Sequence, residues 1–177
     1  ANYPGTTVEQ RLGRCVLGGE LVELLDLPGI YDLNAAPEEE RVALDVLAGA
    51  CPHVGPLDGA IVVADAANLS RSLFLVSQLL EKNLPVVVAL NMVDLAEAQG
   101  IRVDASKLAC ELGCPVVPVV ARTGRGLDQL RAAVRQLQPP AMAAAVPVSV
   151  CGTCGGCPFQ SRYAWTDAIA ARSVQQT

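Results

Sequence analysis

The chain has 177 residues, which is enough for one domain of ordinary size and a short appendage. Hydrophobic residues make up 51% of it and aromatic residues 3%, so the composition predicts a sizeable core built from aliphatic side chains. The formal net charge is −5 and no basic run occurs, which argues against a nucleic-acid-binding protein, because neutralising phosphates requires clustered Lys and Arg.

Along the chain, apolar runs alternate with helical patterns. Residues 15–27 are expected to form two strands joined by a turn at Gly18 and Gly19. The pattern then predicts, in order, a strand at 59–66, a helix at 68–82, a strand at 85–91, a helix at 104–113, a strand at 115–121 and a helix at 127–137. The continuous apolar runs are typical of strands buried on both faces. This alternation predicts the α/β class, with a parallel sheet covered by helices on both faces.

Residues that favour helix ends support the predicted boundaries of two of these helices. Asn68 or Ser70 is expected to cap the start of the helix at 68–82. Asp104 is expected to cap the next helix, and Gly113 is expected to end it.

The last part of the chain differs from this alternating part. The predicted domain covers residues 1–138, a linker with a cysteine cluster covers 139–159, and a terminal segment, 160–177, carries a helix over 160–175. The apolar stretch 141–150 is shorter than the about 20 residues of a membrane span and contains Pro147, so the chain as given is expected to be soluble.

Three cysteines of the linker, Cys151, Cys154 and Cys157, follow a C-x-x-C-x-x-C spacing. As thiolates they are candidates to bind Fe²⁺, Zn²⁺ or an iron–sulfur cluster, with a fourth ligand from elsewhere. The alternative is a flexible, glycine-rich loop whose thiols have no role. No secretory signal precedes them, so a cytosolic context without disulfides is favoured. His53 is expected to be solvated, and the remaining cysteines are expected to be small buried hydrophobic residues: Cys15, Cys51, Cys110 and Cys114.

The loops that follow the predicted strands carry the candidate chemistry. DLPG, residues 26–29, places Asp26 at the tip of a strand, where a carboxylate can hold Mg²⁺ through water. Its Gly29 lets a backbone N–H approach a terminal phosphate closely. A D-x-x-G tetrapeptide arises often by chance, so this motif is weak by itself.

Two further loops favour recognition of guanine. NMVD, residues 91–94, ends with Asp94, whose carboxylate can accept the N1–H and N2–H groups of guanine in parallel. Adenine offers no matching donors, so the wrong base is penalised. Asn91 is expected to tie this loop to its neighbours, and the alternative for the tetrapeptide is a turn with a capping Asp. VARTGRG, residues 120–126, follows the last strand, and the backbone N–H at Ala121 is expected to meet guanine O6.

With these motifs in place, the chain resembles a known family. The segments NYPGTTVE (2–9), DLPGIYDL (26–33), DAANLSRSLFLVSQLLEKNLPVVVALNMVDLAEAQGI (65–101) and LGCPVVPVVARTGRGLDQL (112–130) are similar to the cytosolic G domain of the ferrous-iron transport protein B (FeoB) family. The resemblance covers residues 2–137. It implies a doubly wound, mostly parallel sheet of the Ras-like, P-loop GTPase type.

The resemblance also assigns roles to positions. Thr7 matches the switch-I threonine that coordinates Mg²⁺, together with Asp26. Val120 stands where family members commonly have Ser, which removes one supporting hydroxyl from the base site. The residues implied to contact the nucleotide are Thr6, Thr7, Asp26, Pro28, Gly29, Asn91, Met92, Asp94, Val120, Ala121 and Arg122.

The function implied by the resemblance is that of a regulatory GTP-binding and GTPase domain of a ferrous-iron membrane transporter, at the cytoplasmic face of the bacterial inner membrane. GTP or GDP, Mg²⁺ and K⁺ are the implied cofactors. The transporter's membrane domain and small Feo accessory proteins are the implied partners, and RYAW, residues 162–165, resembles the helix that leads towards the first membrane span. Ile30 follows DLPG where many GTPases carry the Gln that orients water, so slow hydrolysis is expected.

One family feature is missing from the sequence, because no G-x-x-x-x-G-K-[ST] phosphate loop occurs in it. The resemblance implies that a first strand, this loop and a first helix precede residue 2. A truncated chain, with weak or no GTPase activity as a fragment, is therefore expected. The alternative is an interaction or metal-sensing protein that keeps the fold and does not bind nucleotide. A GTPase of the ribosome or RNA-modification type is disfavoured by the low basic content and by NYPGTTVE.

Overall fold

The computed structural model describes residues 11–27, 45–47, 54–138 and 158–176. Contacts along the chain divide it into two units, Ala1–Leu57 and Asp58–Thr177, and each unit is described by itself.

The first unit contains an antiparallel hairpin. Its strands are β1 (Arg11–Leu17) and β2 (Glu20–Asp26), paired in register from Leu17↔Glu20 to Arg11↔Asp26. Gly18 and Gly19 form the turn with φ values of 63° and 94°, and a two-residue turn with positive φ at both positions matches the twist of the strands it joins. The predicted hairpin and its turn are confirmed, although β1 begins earlier than expected.

The second unit contains a parallel sheet with strands in the order β3, β4, β6. Its strands are β3 (Ala60–Asp65), β4 (Val86–Asn91) and β6 (Val116–Pro118). Its first four helices are α1 (Leu69–Glu81), α2 (Val93–Ala98), α3 (Ala105–Leu112) and α4 (Leu127–Arg135). A short strand β5 (Ile101–Val103) lies between α2 and α3, and the chain ends with α5 (Pro158–Ser173) and β7 (Val174–Gln176). The predicted α/β class and parallel sheet are confirmed.

The core of this unit surrounds β4, whose residues Val86 to Leu90 are all buried. Because alternate side chains of a strand point to opposite faces, one face presents Val87 and Ala89. Together with Val117 and Val119 these residues pack against α4 and the residues that follow it: Leu130, Ala133, Val134 and Leu137.

The prediction that β3 is buried on both faces was wrong. Val62 and Ala64 are buried, whereas Ile61 is 38% and Val63 65% exposed. Val63 pairs in register with Ala89, so it lies on the face that α4 covers. The packing of α4 on that face involves β4 and β6, and it leaves Ile61 and Val63 of β3 in contact with solvent.

The predicted ends of α3 are confirmed. The Asp104 side chain accepts a hydrogen bond of 2.9 Å from the Lys107 N–H, and Gly113 ends the helix with a φ of 68°. The prediction for the start of α1 holds in position only. Asn68 directly precedes the helix, but its side chain makes no capping hydrogen bond.

Helix α5 packs on α1 through a buried arginine. Arg162 donates hydrogen bonds to Ser77 Oγ at 2.9 Å and to Glu81 Oε2 at 2.7 Å. Its guanidinium carbon lies 5.6 Å from the centroid of the Phe74 ring, which also stacks on Tyr163 at 4.5 Å. The terminal helix is therefore attached to the body of the second unit.

The C-terminal end of α5 is attached as well. Strand β7 pairs antiparallel with β5, and Asp104 N–H donates to Ser173 O at 2.9 Å. Arg172 makes two hydrogen bonds, of 3.0 and 2.8 Å, to the Glu111 carboxylate, and these bonds hold the pKa of Glu111 below its usual value. The helix predicted to reach residue 175 ends at Ser173, because the following residues extend to pair with β5.

Within the described part of the chain, no helix is both long enough and apolar enough to cross a membrane.

Candidate guanine-recognition site

The candidate site lies at the carboxyl edge of the parallel sheet. Strand β3 ends at Asp65 and β4 ends at Asn91, and these two residues are partners in the register of the strands. The loop that follows β6 begins beside them, because Val119 N–H donates to Leu90 O at 2.8 Å. Loops at this edge of an open α/β sheet are the usual place for a ligand.

The loop after β4 makes a sharp change of direction. Met92 has a φ of 60° and a ψ of 32°, in the left-handed region that non-glycine residues seldom adopt. Helix α2 starts directly afterwards and carries Asp94 in its first turn. The Asp94 side chain is 43% exposed, so solvent reaches it.

The loop after β6 is closed by its own hydrogen bonds. Val120 is buried, its N–H donates to Arg125 O at 2.9 Å, and its carbonyl accepts from Thr123 Oγ1 at 3.2 Å. Gly126 has a φ of 84°, and a Cβ atom there would collide with the Pro118 carbonyl oxygen, so the position requires glycine. These contacts fix the backbone between Val120 and the start of α4.

A hydrogen bond joins the two loops directly. Ala121 N–H donates to Asn91 Oδ1 at 3.1 Å, so Asn91 ties the loops together as the sequence predicted. The Ala121 N–H that was expected to meet guanine O6 therefore has a partner within the protein. Arg122, the next residue, brings a guanidinium nitrogen to 4.0 Å from Asp94 Oδ2.

Of the other predicted nucleotide contacts, the structure describes only Asp26. Asp26 ends β2 in the first unit, and its side chain is exposed. The remaining contacts, Thr6, Thr7, Pro28 and Gly29, lie outside the described residues, and so does Ile30, the position at which many GTPases carry Gln.

Sequence reasoning missed two side chains that shape this edge. Asp65 Oδ1 accepts a hydrogen bond of 2.8 Å from the Ala67 N–H and so turns the chain at the end of β3. Thr123 closes the loop after β6. The sequence does carry a signal for Asp65, because this acidic residue directly follows an apolar run, as the tetrapeptide NMVD does.

No group of three or more His, Cys, Asp or Glu side chains that could hold a metal ion occurs among the described residues. Cys151, Cys154, Cys157 and also Cys51 and His53 lie outside them. Of the other cysteines, Cys114 is buried as expected, Cys15 is half-buried, and Cys110 is exposed. The prediction for Cys110 was wrong, because the residue lies on the solvent side of α3.

A parallel sheet whose carboxyl edge carries the loops of residues 91–94 and 120–126 defines an α/β protein with the fold of a G domain. The family model described as "Ferrous iron transport protein B" matches residues 1–134. The Fe(2+) transporter FeoB of Salmonella typhimurium is 42% identical over 135 residues, which cover 75% of this chain and 17% of that transporter. The Fe(2+) transporter FeoB of Escherichia coli gives the same identity and the same coverage.

Solved structures agree with this match. The cytosolic domain of L. pneumophila FeoB superposes with a TM-score of 0.83 and 29% identity, covering 99% of this chain and 88% of that one. The G domain of T. maritima FeoB gives a TM-score of 0.66 and 36% identity, over 77% of this chain and 80% of that one. The chain belongs to the ferrous iron transport protein B family. It spans 17% of the length of the curated relatives that it matches.

Proposed function

We propose that the chain is the guanine-recognising part of a GTP-binding regulatory domain of a ferrous-iron membrane transporter. The observation that carries the proposal is the hydrogen bond from Ala121 N–H to Asn91 Oδ1, which joins the two loops predicted to hold the base. A solved relative supports the choice of ligand, because the cytosolic domain of T. maritima FeoB has been captured in GMPPNP and GDP forms.

Asp94 is the residue that selects the base. Its exposed carboxylate accepts two parallel hydrogen bonds from guanine N1–H and N2–H, and both are charge-assisted. Adenine presents a ring nitrogen acceptor in place of N1–H, so the carboxylate would face an acceptor and lose its partners. Met92, in its left-handed conformation, directs the chain from β4 into the short helix that carries Asp94.

The phosphates and Mg²⁺ are assigned to the residues of the predicted DLPG and switch-I motifs. Asp26 offers an exposed carboxylate at the end of β2, and such an oxygen donor fits Mg²⁺. Thr6, Thr7, Pro28 and Gly29 complete the proposed set, and K⁺ is a further proposed cofactor. Bound Mg²⁺ would supply neutralisation of phosphate charge. Ile30 has no polar group to orient water, so the GTPase activity proposed for the intact protein is slow.

The wider role follows from the family. GTP binding would order the switch segments around Thr7 and Gly29, and hydrolysis would release them. The proposed partners are the transporter's membrane domain and small Feo accessory proteins, at the cytoplasmic face of the bacterial inner membrane. A role for Cys151, Cys154 and Cys157 as an Fe²⁺ or Zn²⁺ site is part of the same proposal.

The test of base recognition is the substitution Asp94→Asn. The amide keeps the size of the side chain but presents an N–H donor in place of one acceptor oxygen. Xanthine carries a carbonyl at the position of the guanine amino group, so it should replace guanine as the preferred base. We expect GDP affinity to fall by at least about a hundredfold and XDP affinity to rise, measured by titration with fluorescent GDP and XDP analogues.

The titration is to be run on this chain and on a version extended upstream through a phosphate-binding loop. Asp128→Asn, an exposed substitution on α4, is the matched control and should leave both affinities unchanged. If neither version binds guanine or xanthine nucleotides, the proposal fails, and the interaction or metal-sensing alternative remains.

A further inference from the structure

The contact between Arg122 and Asp94 places a cation at the carboxylate that is assigned to guanine. The closest nitrogen–oxygen distance is 4.0 Å, and the two side chains are 85% and 43% exposed. The backbone that carries each of the two side chains is held in place. The backbone on one side is fixed by the hydrogen bond from Ala121 N–H to Asn91 Oδ1, and on the other side by the start of α2.

Arginine and guanine offer a carboxylate the same chemical group. A guanidinium presents parallel N–H donors on neighbouring nitrogens of one planar carbon centre. The N1–H and N2–H edge of guanine is built on the same arrangement, a carbon bonded to three nitrogens, with two N–H donors pointing the same way. Arg122 therefore carries the recognition fragment of the base, and it carries a positive charge in addition.

We propose that Arg122 is an intramolecular competitor for the guanine-recognition carboxylate. In the nucleotide-free protein its guanidinium stays beside Asp94, and a guanine base must displace it before both carboxylate oxygens become available. This inference rests on the proposed function of Asp94, and it adds a residue that lowers guanine affinity and makes the base contact sensitive to salt.

The strength of the ion pair sets how much guanine affinity changes when the pair is removed. An exposed ion pair is weak, so its loss should tighten guanine binding several-fold, up to about fivefold. Salt screens the pair, because the Debye length falls from about 30 Å at 0.01 M to about 3 Å at 1 M. The advantage of a variant without the pair should therefore shrink towards none at high salt.

The experiment compares Arg122→Gln with Arg125→Gln. Both substitutions remove one charge from the same loop, but the Arg125 side chain is not the partner of Asp94. A fluorescent GDP analogue is titrated against the upstream-extended chain and its two variants at low and high salt. We expect Arg122→Gln to bind GDP several-fold more tightly than Arg125→Gln at low salt, with the ratio approaching one at high salt.

Either of two results of the GDP titration would overturn the proposal. Weaker GDP binding by Arg122→Gln than by Arg125→Gln would mean that Arg122 contacts the base favourably. Equal affinities at low salt would mean that the pair has no effect on binding. In the Asp94→Asn background, titrated with XDP, the advantage of Arg122→Gln should disappear, because the charged partner is gone.

A second measurement separates this inference from the function on which it rests. In the nucleotide-free chain, the ¹³C carboxyl resonance of Asp94 should shift on Arg122→Gln and stay in place on Arg125→Gln. An unchanged resonance would exclude the pair itself, whether or not nucleotide binds. Failure of every version to bind guanine would instead overturn the proposed function and, with it, this role of Arg122.

Discussion

At the scale of single residues, two cysteines near the end of α3 differ in chemistry although they are close in sequence. Cys110 is exposed, whereas Cys114 is buried, and burial raises the pKa of the Cys114 thiol to about 12. The thiolate is the reactive form of cysteine, and burial of a neutral thiol disfavours it. Cys114 should therefore behave as an inert core residue at neutral and mildly alkaline pH.

We predict that iodoacetamide at pH 8 labels Cys110 in the native protein and leaves Cys114 unmodified. Tandem mass spectrometry of the peptide that contains both residues gives the extent of labelling at each. Unfolding in urea should remove the difference, and this provides the control. Equal labelling rates in the native protein would show that the turn after α3 opens readily.

The residues of the candidate site were predictable to different degrees. Asn91 and Asp94 could be chosen from the sequence because a polar tetrapeptide directly follows an apolar strand, and the structure places both at the sheet edge. Asn91 was expected to tie its loop to the neighbouring loops, but the backbone group that it binds, Ala121 N–H, could not be named in advance. That contact and the approach of Arg122 to Asp94 depend on how two loops distant in sequence meet. Tertiary contacts of this kind leave no periodic pattern in the sequence.

At the scale of elements, Arg162 attaches helix α5 to α1. Its side chain is only 10% exposed, and it bonds Glu81, whose side chain is 30% exposed, at 2.7 Å. It also bonds Ser77 Oγ and lies over the Phe74 ring. Removing one member of a buried pair leaves the other without compensation, and the remaining exposure of Glu81 reduces this penalty.

We predict that Arg162→Ala lowers the free energy of unfolding by about 2–3 kcal/mol, measured by urea denaturation. Trp165, the single tryptophan of the chain, lies in α5, so its fluorescence should shift to longer wavelength as the helix separates from α1. Arg172→Ala is the matched control, because it removes an arginine of the same helix from an exposed pair and should have a smaller effect. A similar loss of stability in both variants would contradict the central role of Arg162.

The shortest elements were the hardest to predict. Long apolar runs such as β4 and the periodic pattern of α1 show clearly in the sequence. Strands β5 and β7 have three residues each and exist because they pair with one another, so neither has a pattern of its own. The same pairing ends α5 earlier than its helical pattern suggested.

At the scale of the whole molecule, the hairpin and the parallel sheet differ in how strongly they are protected from solvent. Strand β4 is hydrogen-bonded on both sides and fully buried from Val86 to Leu90. The hairpin of β1 and β2 has apolar side chains that remain well exposed, among them Val16 and Leu21, each at 66%. Elements with little buried apolar surface open locally at low free energy.

We predict that native-state hydrogen exchange, read by NMR or mass spectrometry, separates the hairpin from the second unit. Amides of the hairpin should exchange at least about tenfold faster than those of β4, which corresponds to ~1.4 kcal/mol of opening free energy. Amides of α5 should exchange with β4 and not with the hairpin, because α5 packs on α1 and continues into β7. Exchange of α5 at the rate of the hairpin would instead favour the sequence-based boundary at residue 138, with the terminal helix as a separate appendage. Exchange of all three at one rate would show that the chain unfolds as a single cooperative unit.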